Sequence, residues 1–127
     1  MPTISSVSTL TNKKNVKRVD SSQTAVTTIA ANSDNFDIIY ATDVAATGTL
    51  TVSADTGSGQ TEGQSLTLKI NCTNTQTFSW TSGAKGFYGG LVALPVSTTG
   101  SSKTDLYTFY WNSLTSHWLF TGQALAF

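Results

Sequence analysis

Residues 104–123 of the sequence, TDLYTFYWNSLTSHWLFTGQ, decide the fold class. In two runs, residues 105–111 and 117–121, bulky side chains recur at every second position. Residues 112–116 lie between these runs and are mostly polar and turn-forming. Period-two alternation on both sides of a short polar segment is typical of a β-hairpin, so we predict two antiparallel strands here.

The first strand of this hairpin carries apolar side chains on both faces. Tyr107, Phe109 and Trp111 share one face, while Leu106 and Tyr110 lie on the other. Such a strand is covered on both sides, by the core and by a loop or another subunit. We therefore predict that the hairpin closes the core and that Tyr107, Phe109 and Trp111 contribute to a subunit interface.

Strand-like pieces recur along the rest of the chain, about every ten residues. The clearest are TLTVSA at residues 49–54 and SLTLKIN at residues 65–71, each with apolar side chains on alternate positions. Further strands are predicted at residues 25–31, 36–42 and 76–81. Frequent Thr and Gly favour strands and turns. The predicted fold is all-β: an antiparallel β-sandwich, jelly-roll-like, with about seven or eight strands.

The N-terminal residues differ from this body. Residues 1–24 are polar, poor in aromatics and without periodicity, so we predict a flexible, extended arm before a domain at residues 25–127. The arm holds four of the seven basic residues of the chain: Lys13, Lys14, Lys17 and Arg18. Because no aromatic residue interleaves with them, a nucleic-acid site is disfavoured. These four side chains are predicted to dock on an acidic protein surface.

Few residues carry chemistry. His117 is the only histidine, and no second His, Cys or carboxylate stands at metal-ligand spacing from it. The segment GSGQTEG at residues 57–63 lacks the Lys-Ser/Thr ending of a phosphate loop and leads into a strand. Cys72 is the only cysteine. We expect no enzyme activity, no cofactor and no metal. There is also no secretory signal and no apolar run that could span a membrane.

Two runs resemble a known family. They are GQSLTLKINCTNTQTFSWTSGAKGFYGG at residues 63–90 and TTGSSKTDLYTFYWNSLTSHWLF at residues 98–120. The GQ turn, the LTLKI strand, the glycine-rich connection and the hairpin ending in Trp resemble small β-domains of tailed-bacteriophage virion proteins. The similarity covers roughly residues 46–122 and concerns packing patterns. Domains of this family serve as capsid decoration (cement) proteins and as parts of tail or head fibres.

The resemblance implies a structural role. Since only a short arm precedes the body, we expect a capsid decoration protein on the outer surface of the virion capsid. Its expected partners are the major capsid protein and its own copies, as a homotrimer or homodimer, with no nucleic acid and no membrane. The alternative is a tail- or head-fibre module that binds a host receptor or glycan. That alternative would use aromatic rings as a ligand platform: Trp80, Tyr88 and Trp118, with Trp111 of the hairpin.

Overall fold

The protein's structure, a computed structural model, describes residues 16–44 and 48–127. Within these residues the chain forms nine strands and no helix, which confirms the all-β prediction. The strands are β1 (Val19–Thr24), β2 (Thr28–Ile29), β3 (Ile38–Val44), β4 (Gly48–Val52), β5 (Ser65–Cys72), β6 (Gln76–Trp80), β7 (Phe87–Tyr88), β8 (Lys103–Asn112) and β9 (His117–Ala124).

Alternating side chains account for these strands. In β5, Leu66, Leu68 and Ile70 are buried, whereas Thr67 and Lys69 lie on the opposite, partly exposed face. A strand places successive side chains on opposite faces, so this sequence buries one face completely and leaves the other partly in water. The β-branched residues of β5 also suit the pleated backbone.

The strands form two sheets. The large sheet has the order β1-β3-β5-β8-β9-β7, and the small sheet has the order β2-β4-β6. After each of the first six strands the chain crosses to the other sheet, so each sheet receives every second strand. Consecutive strands of one sheet consequently run in the same direction: β1–β3, β3–β5, β2–β4 and β4–β6 are all parallel pairs.

The antiparallel pairing expected throughout is therefore wrong for most of the sheet. Among the nine described strands, only the pairs β5–β8 and β8–β9 are antiparallel. The predicted hairpin is confirmed as β8–β9, in which Trp111 lies opposite Trp118. This hairpin is inserted between β5 and β7, because β7 pairs with β9 in parallel. The aromatic hairpin thus occupies the interior of the large sheet.

Both sheets contribute to one hydrophobic core. Phe78 of the small sheet meets Tyr107 of the large sheet edge to face, with 5.2 Å between ring centroids. The Trp80 and Phe109 rings also meet across the sheets, with 5.6 Å between centroids and a tilt of 57° between their planes. Burying each large apolar side chain contributes roughly 1.5–3 kcal/mol. The core consists of Ile29, Ala31, Ile39, Ala41, Val44, Leu50, Val52, Leu66, Leu68, Ile70, Cys72, Phe78, Phe87, Tyr107, Phe109, Trp111, Trp118 and Phe120.

Strand β1 covers residues that the sequence assigned to the end of the arm. Its inward positions are polar: Asp20 and Gln23 are buried. The Gln23 amide donates to Asp20 (2.9 Å) and to the carbonyl of Ala30, and it accepts from the Ala30 amide (2.8 Å). Inward-pointing polar groups and the irregular register between Asp20 and Gln23 are devices that protect an edge strand from further pairing. The remainder of the predicted arm, residues 1–15, lies outside the described residues.

Candidate functional site

The three residues predicted for a subunit interface lie in the core. Tyr107 is 0% exposed, Phe109 1% and Trp111 5%. The Tyr107 hydroxyl donates to the Asp105 carboxylate (3.0 Å), and burial raises the pKa of this hydroxyl. These side chains are inaccessible to another subunit, so their assignment to an interface is incorrect. They belong to the core instead, where Tyr107 and Phe109 contact aromatic rings of the small sheet.

The opposite face of the same strand is accessible. Leu106 and Thr108 are partly exposed there, and Tyr110 is 40% exposed. The sheet register brings Leu119 beside Tyr110 and Lys69 beside Leu106. We call this side of the large sheet the outer face. Its outward side chains on β3, β5, β8 and β9 are Ile38, Tyr40, Thr42, Ser65, Thr67, Lys69, Asn71, Thr104, Leu106, Thr108, Tyr110, Asn112, His117 and Leu119.

Charge is scarce on the outer face. Among those outward side chains Lys69 is the only charged one, and its ammonium lies over the Tyr40 ring, 4.5 Å from the centroid. A cation held over an aromatic face is partly compensated without a carboxylate. The Glu62 carboxylate adds one negative charge at the edge of this face, where it accepts from the Tyr110 hydroxyl (3.4 Å). The remaining groups of the outer face are mostly hydroxyl, aliphatic and aromatic, a composition that suits a contact surface between proteins.

The alternative ligand platform is not assembled on one surface. Trp118 is fully buried. Trp80 is only partly exposed, stacks on Phe78 and donates its indole N–H to the carbonyl of Pro95 (2.8 Å). Tyr88 lies against His117, with 3.8 Å between centroids. Of the three platform residues, Tyr88 alone sits on the outer side of the large sheet, through its pairing with Leu119.

The predicted docking residues differ in their surroundings. Lys13 and Lys14 lie outside the described residues, and Lys17 is exposed. Arg18 is bound within the domain: its guanidinium makes a two-point contact with the Asp37 carboxylate, at 2.9 and 3.2 Å. The hydrogen bond from Arg18 is the main reason that the pKa of Asp37 lies below its usual value. Arg18 thus fixes the point at which the N-terminal segment joins the body.

Asp55 is a buried carboxylate that links three parts of the fold. It is 4% exposed and accepts hydrogen bonds from the amide of Gly57 (2.9 Å), from Gln60 (2.8 Å) and from the Trp118 indole (3.1 Å). The amide of Ser33 donates at 2.9 Å, and the Ser33 hydroxyl donates as well. Burial alone would raise the pKa of Asp55, but the bonds from Gln60, Ser33 and Gly57 outweigh it and lower the pKa.

Asp105 has the same role near the opposite end of the large sheet. It is 1% exposed and accepts from the amide and hydroxyl of Thr99 (both 2.8 Å), from Tyr107, and from the amide of Ala126 (2.9 Å). Every donor belongs to the domain itself, so both carboxylates are structural groups. Neither network could be predicted from the sequence, because Asp55 and Asp105 stand alone there, without a motif around them.

A Cys–His pair is not formed. Cys72 lies opposite Lys103 at one end of β8, whereas His117 lies opposite Asn112 at the other, about 30 Å away at the usual rise per residue. Cys72 is buried, and burial raises the pKa of its thiol. Within residues 16–44 and 48–127 no group of three His, Cys, Asp or Glu side chains could hold a metal ion. The same part of the chain contains no helix capable of crossing a membrane.

The connection between β7 and β8 exposes apolar side chains that sequence reasoning missed. Leu91 is fully exposed (109%), and Val96 and Val92 are 76% and 57% exposed. In the sequence, the glycines of the segment GGLVALP indicate only a kinked connection. The available signal was the charge pattern, since residues 86–102 contain no Asp, Glu, Lys or Arg.

Comparisons with protein families, with curated proteins and with solved structures find no match to this chain. The geometry of the described residues and the residues that carry the resemblance are therefore what a functional proposal rests on.

Proposed function

We propose that the protein is a capsid decoration (cement) protein, which binds the outside of a bacteriophage head and stabilises contacts between neighbouring capsid subunits. The resemblance of residues 63–90 and 98–120 to phage virion domains supports this setting. One structural observation carries the proposal: a body tied together by buried hydrogen-bond networks exposes many large apolar side chains. They are Val16, Val19, Leu91, Val92, Val96, Tyr110, Leu114, Leu125 and Phe127.

Such a surface fits a protein that works by contact. Exposed apolar groups on a rigid body favour association with other proteins, because their burial is the main favourable term. Copies repeated over a shell add many modest contacts, and the avidity of the layer exceeds that of one contact. The proposed mechanism is mechanical: additional buried interface holds adjacent capsid subunits together.

We also propose that the two sheets pack face to face as a β-sandwich. The ring contacts Phe78–Tyr107 and Trp80–Phe109 support this arrangement. Jelly-roll connectivity is left out of the proposal, because jelly rolls are built from antiparallel strands and most pairs here are parallel.

The alternative, a fibre module that binds a host receptor or glycan, has less support. A stacking platform needs accessible rings, but Trp118 and Trp111 lie in the core. Location on the particle separates the two functions. Cryo-electron microscopy of the virion is expected to show many copies spread over the head. Density confined to the tail or to fibre tips would overturn the decoration proposal in favour of the fibre module.

The basic segment, by which we mean residues 13–18 with Lys13, Lys14, Lys17 and Arg18, is expected to contribute to capsid binding through its charge. Changing Lys13, Lys14 and Lys17 together to Gln should weaken binding to purified capsids and flatten its dependence on ionic strength, because salt screens the attraction between basic side chains and an acidic surface. Co-sedimentation with capsids across a salt series measures both effects. The control is Lys103→Gln, an exposed lysine of the body, which should leave the salt dependence almost unchanged. Equal salt slopes for the triple variant and the unaltered protein would contradict a docking role.

Self-association is assigned to the outer face. The six strands of the large sheet contain 41 residues, which at about 3.3 Å per residue and about 4.8 Å between strands give an area of about 650 Å². That lies within the range that each partner contributes to a standard protein interface, roughly 600–1,000 Å². Leu106→Ser combined with Tyr110→Ser is expected to convert an oligomer to monomer in light scattering coupled to size-exclusion chromatography. The control is Ser79→Asp, at an exposed position of β6 in the small sheet and away from the outer face, which should leave the mass unchanged. A monomeric unaltered protein would contradict this assignment.

A further inference from the structure

The most exposed apolar group of the described chain lies at the connection between β7 and β8. Leu91, Val92 and Val96 fall within six positions, and we call these three side chains the apolar tip. Loop tips on protein surfaces usually carry polar residues, and contiguous exposed apolar groups mark interaction sites.

The base of this connection is fixed. Leu94 packs against the core, and the Trp80 indole donates to the carbonyl of Pro95 (2.8 Å). The amide of Phe78 donates to the carbonyl of Val96 (2.8 Å), which continues the small sheet beyond β6. Residues 89–93 are exposed, and the amide of Gly90 donates to the carbonyl of Val92 (3.1 Å), so the tip projects into water from a base that is held by hydrogen bonds and packing.

Gly89, at the start of the connection, allows its backbone to approach that of residues 92–94 closely. A Cβ at this position would lie 2.7 Å from the Leu94 amide nitrogen and 2.8 Å from the Val92 carbonyl oxygen. Both are backbone atoms, which cannot swing aside as a flexible side chain can. A close backbone approach of this kind presets the loop before any partner binds, and presetting reduces the entropy cost of association.

The absence of charged residues from the segment that carries the apolar tip indicates the kind of partner. Residues 86–102 contain no charged side chain, and the ammonium of Lys85 is bound to the carbonyl of Gly57 (2.8 Å). Binding to an anionic membrane surface normally relies on clustered Lys and Arg, which this segment lacks. The chemistry that fits is an apolar recess on a protein, with no requirement for an opposing charge.

We propose that the apolar tip is an anchor that inserts Leu91 and Val92, with Val96 beside them, into an apolar recess on the capsid subunit. This proposal rests on the decoration function and adds the contact that supplies affinity. Buried apolar anchors at the centre of an interface commonly dominate binding. Because the contact is uncharged, its contribution is insensitive to ionic strength, in contrast to that of the basic segment.

The test is the double variant Leu91→Ser/Val92→Ser in the full chain, measured by co-sedimentation with purified capsids at low and high salt. Its capsid affinity should fall by about thirtyfold or more, with the salt slope unchanged. Thermal unfolding should not change, because these side chains lie in water. The matched control is Ala84→Ser: Ala84 is an exposed apolar residue in the connection between β6 and β7, outside the apolar tip, and the variant should bind like the unaltered protein.

The contrary outcomes are distinguishable. If the unaltered protein binds capsids and the double variant binds equally well, the anchor is overturned while the decoration function stands. If the unaltered protein does not bind capsids, the decoration function fails, and with it the capsid as the partner of the tip. A change in oligomeric mass caused by the double variant would identify a second copy as the partner. Binding to phosphatidylcholine/phosphatidylglycerol vesicles that the double variant loses would identify a membrane, and either result overturns the proposed recess.

Discussion

Asp55→Asn is expected to lower the free energy of unfolding by about 3 kcal/mol or more. The amide has nearly the shape of the carboxylate and keeps one oxygen for the amides of Ser33 and Gly57, but its NH2 group replaces the oxygen that accepts the other three hydrogen bonds. The Ser33 hydroxyl, Gln60 and Trp118 would each lose a partner inside the fold, and unsatisfied buried donors cost about 1–3 kcal/mol each. Urea-induced unfolding followed by tryptophan fluorescence measures the change, since Trp118 reports directly on this site.

The same variant should alter the pH dependence of stability. The pKa of Asp55 in the folded protein is below its unfolded value, so the carboxylate stabilises the fold above the unfolded pKa, near 4. That stabilisation is lost as the pH falls through the lower, folded pKa. The pKa values of Asp20, Asp37 and Glu62 are lowered too, so the unaltered protein should lose stability steeply below about pH 4. Asp55→Asn should lose less over that interval.

A second aspartate provides the control for this prediction. Asp34 also accepts backbone hydrogen bonds, from the amides of Ser58 (2.9 Å) and Gly59 (2.8 Å), but it is exposed. Asp34→Asn should therefore change stability less than Asp55→Asn, because water can replace the lost acceptor. Equal effects of the two variants would show that burial of the Asp55 network is not what makes it important.

The positions of most strands were predictable because burial leaves a trace in the sequence. Alternation in β5 marks its buried face, and period two in the β8–β9 hairpin marks the positions of its strands. The same alternation is produced by parallel and antiparallel strands. The sequence therefore could not show that the chain crosses between sheets after each of the first six strands.

Two other features left no usable pattern in the sequence: strand β1, and the choice of the buried face in β8. Strand β1 lacks apolar alternation because its inward residues, Asp20 and Gln23, are satisfied by side-chain hydrogen bonds. In β8 both faces carry bulky groups, so the pattern could not assign the buried one. The buried face of β8 is the one that meets the small sheet, where the rings of Phe78 and Trp80 pack against Tyr107 and Phe109.

Phe109→Ala tests that assignment and is expected to lower the free energy of unfolding by about 3–5 kcal/mol. The Phe109 ring has three aromatic neighbours, Trp80 at 5.6 Å, Phe87 at 5.0 Å and Phe120 at 5.6 Å, and truncation would leave a cavity among them. Chemical denaturation at several protein concentrations gives the measurement, because a loss in the core of one chain does not depend on concentration.

Tyr110→Ala is the matched variant, one position further along the same strand and on the opposite face. Tyr110 is 40% exposed, so its removal should cost about 1 kcal/mol or less in the folded chain while weakening self-association through the outer face. The reverse result, a folded Phe109→Ala that dissociates and a Tyr110→Ala that unfolds, would return the interface to the face of Tyr107, Phe109 and Trp111. Burial of Phe109 at 1% makes that reversal incompatible with the fold, because a side chain enclosed by three rings of its own chain cannot also meet a second copy.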